Sequence, residues 1–137
     1  MLPSYLVAAS ALVVFVLGAM HLFYTFSGSA FDPRDPELKL RMQEVSPKLT
    51  SQTTMWRAWV GFNASHSFGA LLFGWVYGYL ALAQAEMFFG SMFLVLTGAV
   101  LLAGYVALAR AYWFSIPSRG LTLAAVLYAL GMVVRFA

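Results

Sequence analysis

Trp56-Arg57-Ala58-Trp59-Val60-Gly61-Phe62-Asn63-Ala64-Ser65-His66-Ser67-Phe68-Gly69 opens a run with no charged residue from Ala58 to Ala85. A helix needs only ~20 apolar residues to cross the hydrocarbon core of a bilayer, so this run belongs in a membrane. Nothing in it alternates with the period of a strand, and the expected element is a helix. Two side chains interrupt the apolar character. Asn63 and His66 are three residues apart, share one helix face, and sit where polar groups are costly and usually have a reason to be present. The stretch says where the protein resides and where a site would be; it names no reaction.

Three further apolar runs flank it. Residues 1 to 31 hold no charged side chain, and about 5–26 is long enough to span. Gly28-Ser29-Ala30 resembles a cleavage site, but no basic residue precedes the run and it is too long for a signal peptide, so a retained span is expected. The other spans are expected at about 56–84, 87–109 and 118–135. The last is the weakest, with Leu121 to Val134 bracketed by Arg119 and Arg135, and it needs its arginine stems to snorkel. The expected fold is therefore an all-α membrane protein: a single domain over 1–137, four transmembrane helices in an up-down bundle.

Composition agrees. The chain is 62% hydrophobic and 9% charged, against about 25% charged in soluble domains. It has no cysteine, which excludes disulfides and thiolate chemistry. Its net charge of +3 does not indicate nucleic-acid binding, because the basic residues flank apolar spans and form no patch. They read as orientation signals. Arg34, Lys39, Arg41, Lys48, Arg57, Arg110 and Arg119 fall on one side and only Arg135 on the other. The loop side should be cytoplasmic, with both termini outward.

The first loop should hold a short amphipathic helix at about 36–46. Asp35 and Pro36 form an N-cap and N1 pair, Leu38, Met42 and Val45 make a stripe, Glu37 and Arg41 are spaced as an ion pair, and Pro47 ends it. Thr53 or Thr54 should cap the second span. Within that span, Gly61, Ser65 and Gly69 have the small-xxx-small spacing that lets helices approach closely, and Gly74 and Gly78 repeat it.

His21, in the first span, is the only other histidine. Counting residues from the loop side puts His21 ~7 Å deep, Asn63 ~10 Å and His66 ~15 Å. On that count Asn63, rather than His66, is the partner of His21, with Tyr24 and Tyr105 at similar depth. His21, Asn63, His66, Tyr24 and Tyr105 are thus the candidate ligand-binding residues. Three readings are open. The polar groups form a structural clasp between helices; they hold a lipid, quinone or similar amphipathic ligand; or His66 and His21, together or singly, ligate a b-type haem. That depth difference disfavours bis-histidine haem, and no intramembrane carboxylate supports another metal site. Ser65-His66-Ser67 is no triad, since no acid is near. Arg57, with Arg110, Trp113 and Arg119, can contact lipid head groups, although ordinary interfacial anchoring explains them equally well.

Phe31-Asp32-Pro33-Arg34, Trp56 to Ser67 with its G-F-N-x-S-H core, and Tyr112-Trp113-Phe114-Ser115-Ile116-Pro117 together resemble a family of small bacterial four-span integral membrane proteins. The resemblance covers nearly the whole chain. It implies the architecture and a bacterial inner-membrane location, and it supplies no activity and no catalytic residue. The functional expectation is a small membrane binding or accessory protein with a ligand near His21, Asn63 and His66, or one docked on a larger complex or on copies of itself. A haem enzyme or electron carrier and a purely structural subunit are the alternatives.

Overall fold

The computed structural model describes residues 1–137, all as helix or connecting turn. In chain order the helices are α1 (Leu2–Phe26), α2 (Pro36–Glu44), α3 (Met55–Ala83), α4 (Ala85–Gly90), α5 (Met92–Tyr112) and α6 (Ser115–Phe136). α1, α3, α5 and α6 are each long and apolar enough to cross a bilayer. The protein is an all-helical, four-span integral membrane protein.

Two boundaries differ from expectation. The third span begins at Met92 rather than residue 87, because residues 85–90 wind into the separate α4 and Ser91 restarts the chain, its Oγ accepting from the Leu94 amide at 3.4 Å. The fourth span is a full 22 residues, starting at Ser115. Pro117 sits in its first turn, where a missing amide donor costs nothing. Other caps fall as expected: Asp35 accepts from the Glu37 amide at 2.9 Å, and Thr54 Oγ1 accepts from the Arg57 amide at 3.3 Å. Arg41, however, pairs with Glu44 at 3.5 Å rather than with Glu37. α2 buries none of its residues fully: of its apolar stripe, Leu38 and Val45 are exposed and Met42 is half-buried.

The chain divides into two compact units, Met1–Leu17 with Ala70–Ala137, and Gly18–Gly69. The first holds the core. Val7, Ala11 and Val14 of α1, Phe73 and Tyr77 of α3, Leu102 of α5, and Leu121, Ala124 and Tyr128 of α6 are all buried. Their spacings of three, four and seven are those of one helix face. Because bilayer-facing positions are apolar too, it is close packing that distinguishes the inner face. At Gly74 an added Cβ would lie 2.5 Å from Phe15 Cβ and 2.8 Å from the Ala11 carbonyl, so α1 and α3 touch backbone to backbone here. The expected ridge at Gly61, Ser65 and Gly69 is not used this way: all three are exposed, and nothing lies within 4 Å of a Cβ at Gly61.

Buried polar groups in this unit are satisfied across helices. Ser10 Oγ donates to the Ala124 carbonyl at 2.7 Å, Tyr77 Oη to Leu94 at 3.0 Å and Tyr128 Oη to Val95 at 2.8 Å. The two tyrosine rings close over Gly98, where a Cβ would stand 2.5 Å from Tyr128 Oη.

Candidate functional site

The second unit, Gly18–Gly69, contains the end of α1, the loop with α2, and the start of α3. Asn63 lies one turn beyond Trp59 on α3 and its amide Nδ2 donates to the Trp59 carbonyl at 2.8 Å. A carbonyl only accepts, which fixes the amide's orientation and turns Oδ1 toward α1. His21 Nε2 lies 3.0 Å from that oxygen. Since Oδ1 cannot donate, Nε2–H of His21 is the donor and the tautomer is set. Asn63 is only 6% exposed, and this bond joins the two helices. Intramembrane bonds of this kind contribute about 0.6 kcal/mol on average.

The His66 ring is also here. Its centroid is 5.2 Å from that of His21, edge to face at 73°. Residue depth along the helices separates them; side-chain direction brings them together. In a helix each Cβ leans toward the N-terminus, so on antiparallel helices His21 leans toward the bilayer centre and His66 toward the loop. A row of rings results. Phe31 packs on His21 at 4.5 Å, and Phe62 lies nearly parallel to His66, at 10° and 6.5 Å between centroids. Phe62 is 67% exposed and His66 is half-buried, so the end of the row faces the surroundings of α3.

Neighbouring hydroxyls are committed to the backbone. Thr25 donates to the His21 carbonyl at 2.8 Å, Ser67 to Asn63 at 2.9 Å and Ser65 to Phe62 at 2.9 Å. None is placed as a nucleophile beside a histidine. Nor does the chain assemble three or more His, Asp or Glu side chains able to hold a metal ion. Bis-histidine haem does not fit: the macrocycle would have to lie between His21 and His66, whose rings are in contact, and His21 Nε2 is engaged by Asn63.

Tyr24 is 41% exposed and its ring packs on Phe23. Tyr105 belongs to the other unit, where its ring lies 6.5 Å from that of Trp113. Arg57, Arg110 and Arg119 are exposed, and Trp113 terminates α5, its amide donating to the Ala109 carbonyl at 3.2 Å. An apolar groove lined by Phe15, Trp75, Gly78, Tyr79 and Leu82 runs along α1 and α3 in that same unit and contains no histidine.

Three residues of the site had no sequence signal as ligands. Phe31 covers His21; Trp59 Nε1–H donates to the Phe31 carbonyl at 3.2 Å; and Lys39 Nζ bonds Asp32 Oδ2 at 2.7 Å while standing 4.9 Å above the Trp56 ring. All lie in or near the motifs at 31–34 and 56–67, but their meeting depends on how the loop folds back. No family model, curated protein or solved structure matches the chain.

Proposed function

We propose that this is a small membrane protein that holds an amphipathic ligand with a flat, carbonyl-bearing head group, of the quinone class, against His66. The observation that carries this reading is the ring row: a half-buried histidine lies nearly parallel to the exposed Phe62 and in contact with His21. Flat rings stack on such faces, and imidazole N–H groups donate to carbonyl oxygens. Sites for apolar ligands commonly combine aromatic walls with a few placed polar groups, which is the composition found here. Asn63 serves by fixing His21, and His21 in turn backs His66. The resemblance and the loop charges support a bacterial inner membrane, with the loop side cytoplasmic and both termini outward.

The test is ligand extraction. Protein purified in mild detergent should release a quinone-class molecule, identified by its mass and its redox difference spectrum. The His66→Leu variant should release little, at unchanged helix content. Wild-type protein free of such a molecule, both as purified and after incubation with excess quinone, would overturn the reading. A Soret band in the purified protein, lost in His66→Leu, would overturn it in favour of single-histidine haem.

A further inference from the structure

We propose that residues 27–35 form a strap that gates the loop-side entrance to the histidine pair, with the Lys39 ammonium as its latch. The inference deepens the ligand reading by assigning access to that same site, but its geometry and its test concern His21 alone.

The strap leaves α1 through Gly28, at φ +81°, a left-handed conformation that favours glycine. Nothing lies within 4 Å of a Cβ there, so no neighbouring side chain packs on the backbone at this turn. Beyond it the strap is stiffer. The Asp32 amide donates to the Ser29 carbonyl at 3.1 Å, and Pro33 and Pro36 lock their own φ angles. Movement therefore concentrates at Gly28 and carries Phe31 with it. In the closed position the Phe31 ring lies 4.5 Å from the His21 ring, as its cover on the loop side.

Two polar contacts tie it to α2 and α3. One is the Trp59 indole N–H on the Phe31 carbonyl, at 3.2 Å. The other is Lys39, on α2, which holds the strap's Asp32 at 2.7 Å and stands over the Trp56 ring of α3 at 4.9 Å. A single ammonium thus ties strap, α2 and α3 together. The Lys39 and Asp32 side chains are 35% and 24% exposed, so water and salt reach the pair and weaken it. A fastening of this strength holds the strap closed for most of the time and releases it readily. Opening uncovers His21 to water on the loop side, while Phe62, at the other end of the ring row, remains the side open to the membrane.

Diethyl pyrocarbonate labelling of His21 in the full chain, followed by peptide mass spectrometry, reads the open fraction. Wild-type protein should label slowly. Lys39→Ala and Asp32→Asn should label roughly fivefold faster, equivalent to ~1 kcal/mol off the closed state. Phe31→Ala should be faster still. Sodium chloride at molar concentration should accelerate labelling of the unmodified chain and leave Lys39→Ala unchanged, an arm independent of how any variant folds. Equal rates in wild type, Lys39→Ala and Phe31→Ala, or a wild-type rate indifferent to salt, would overturn the strap. Quinone extraction fails or succeeds separately, so the two proposals fall independently.

Discussion

At the scale of single residues, what could be read in advance depended on how anomalous a side chain is in hydrocarbon. Asn63 and His21 stood out because an amide and an imidazole are costly there, and they are bonded to each other. Ser10, Tyr77 and Tyr128 carry no such signal: a tyrosine in a span passes for an anchor, and a serine for a small packing residue. Yet these hydroxyls all donate to carbonyls of another helix. The consequence is measurable at Gly98. Gly98→Ala would place a methyl 2.5 Å from Tyr128 Oη and 2.6 Å from Tyr77 Cε1. Both rings are held by their own bonds, so the expected cost is about 1–3 kcal/mol, that of an overpacked core. Tyr128→Phe loses one intramembrane hydrogen bond and should cost only about 0.6 kcal/mol. Unfolding in mixed micelles titrated with a denaturing detergent checks the order. A Tyr128→Phe variant less stable than Gly98→Ala would show that the hydroxyl, not the notch, fixes α5.

At the scale of elements, apolar length disclosed the spans, but register needed the contacts. The third span could not be placed from composition, since residues 87–90 are as apolar as the start of α5 and only the Ser91 cap divides α4 from it. The small-residue ridge shows the same limit. Gly61, Ser65, Gly69 and Gly74, Gly78 offer the same spacing to a reader of the sequence, and the fold uses Gly74 for backbone contact while leaving Gly61 open. Two substitutions on one helix separate them. Gly74→Leu must push α1 from α3 by more than a side chain can yield, because Phe15 Cβ and the Ala11 carbonyl stand in the way, and we expect it to prevent stable folding. Gly61→Leu should leave chain stability within about 0.5 kcal/mol of wild type, as surface changes do. Yield of monodisperse protein after detergent extraction distinguishes the two. Equal loss in both would mean that Gly61 also packs closely. α2 permits a local test: Asp35→Ala removes the side-chain acceptor at the Glu37 amide. It should speed hydrogen exchange across residues 37–39 by an amount set by about 1 kcal/mol, while the spans stay protected.

At the scale of the whole molecule, an even number of spans brings the two ends of this chain to one side, and the orientation proposed for them rests on charge. Seven Lys and Arg residues flank the first and third loops, against Arg135 alone at the other ends. The acidic residues of the first loop do not offset this, because orientation follows positive charges close to span ends rather than net charge. The absence of cysteine makes the proposed topology easy to probe without background. Ser51→Cys, on the exposed stretch before α3, should react with a membrane-impermeant maleimide only after the membrane is permeabilised. Ala137→Cys, at the exposed chain end, should react in intact cells. The reverse pattern would overturn the orientation, and with it the side from which the Phe31 strap opens, without touching the geometry of the histidine pair. Charge can also be made to argue against itself. Lysines introduced at Gln84 and Ala85, in the turn between α3 and α4, narrow the bias to seven against three. If positive charge sets the orientation, labelling of Ser51→Cys in intact cells should rise from none to a detectable fraction in that background. If it does not rise, insertion is governed by the order in which the spans emerge, and the loop charges serve the lipid head groups instead.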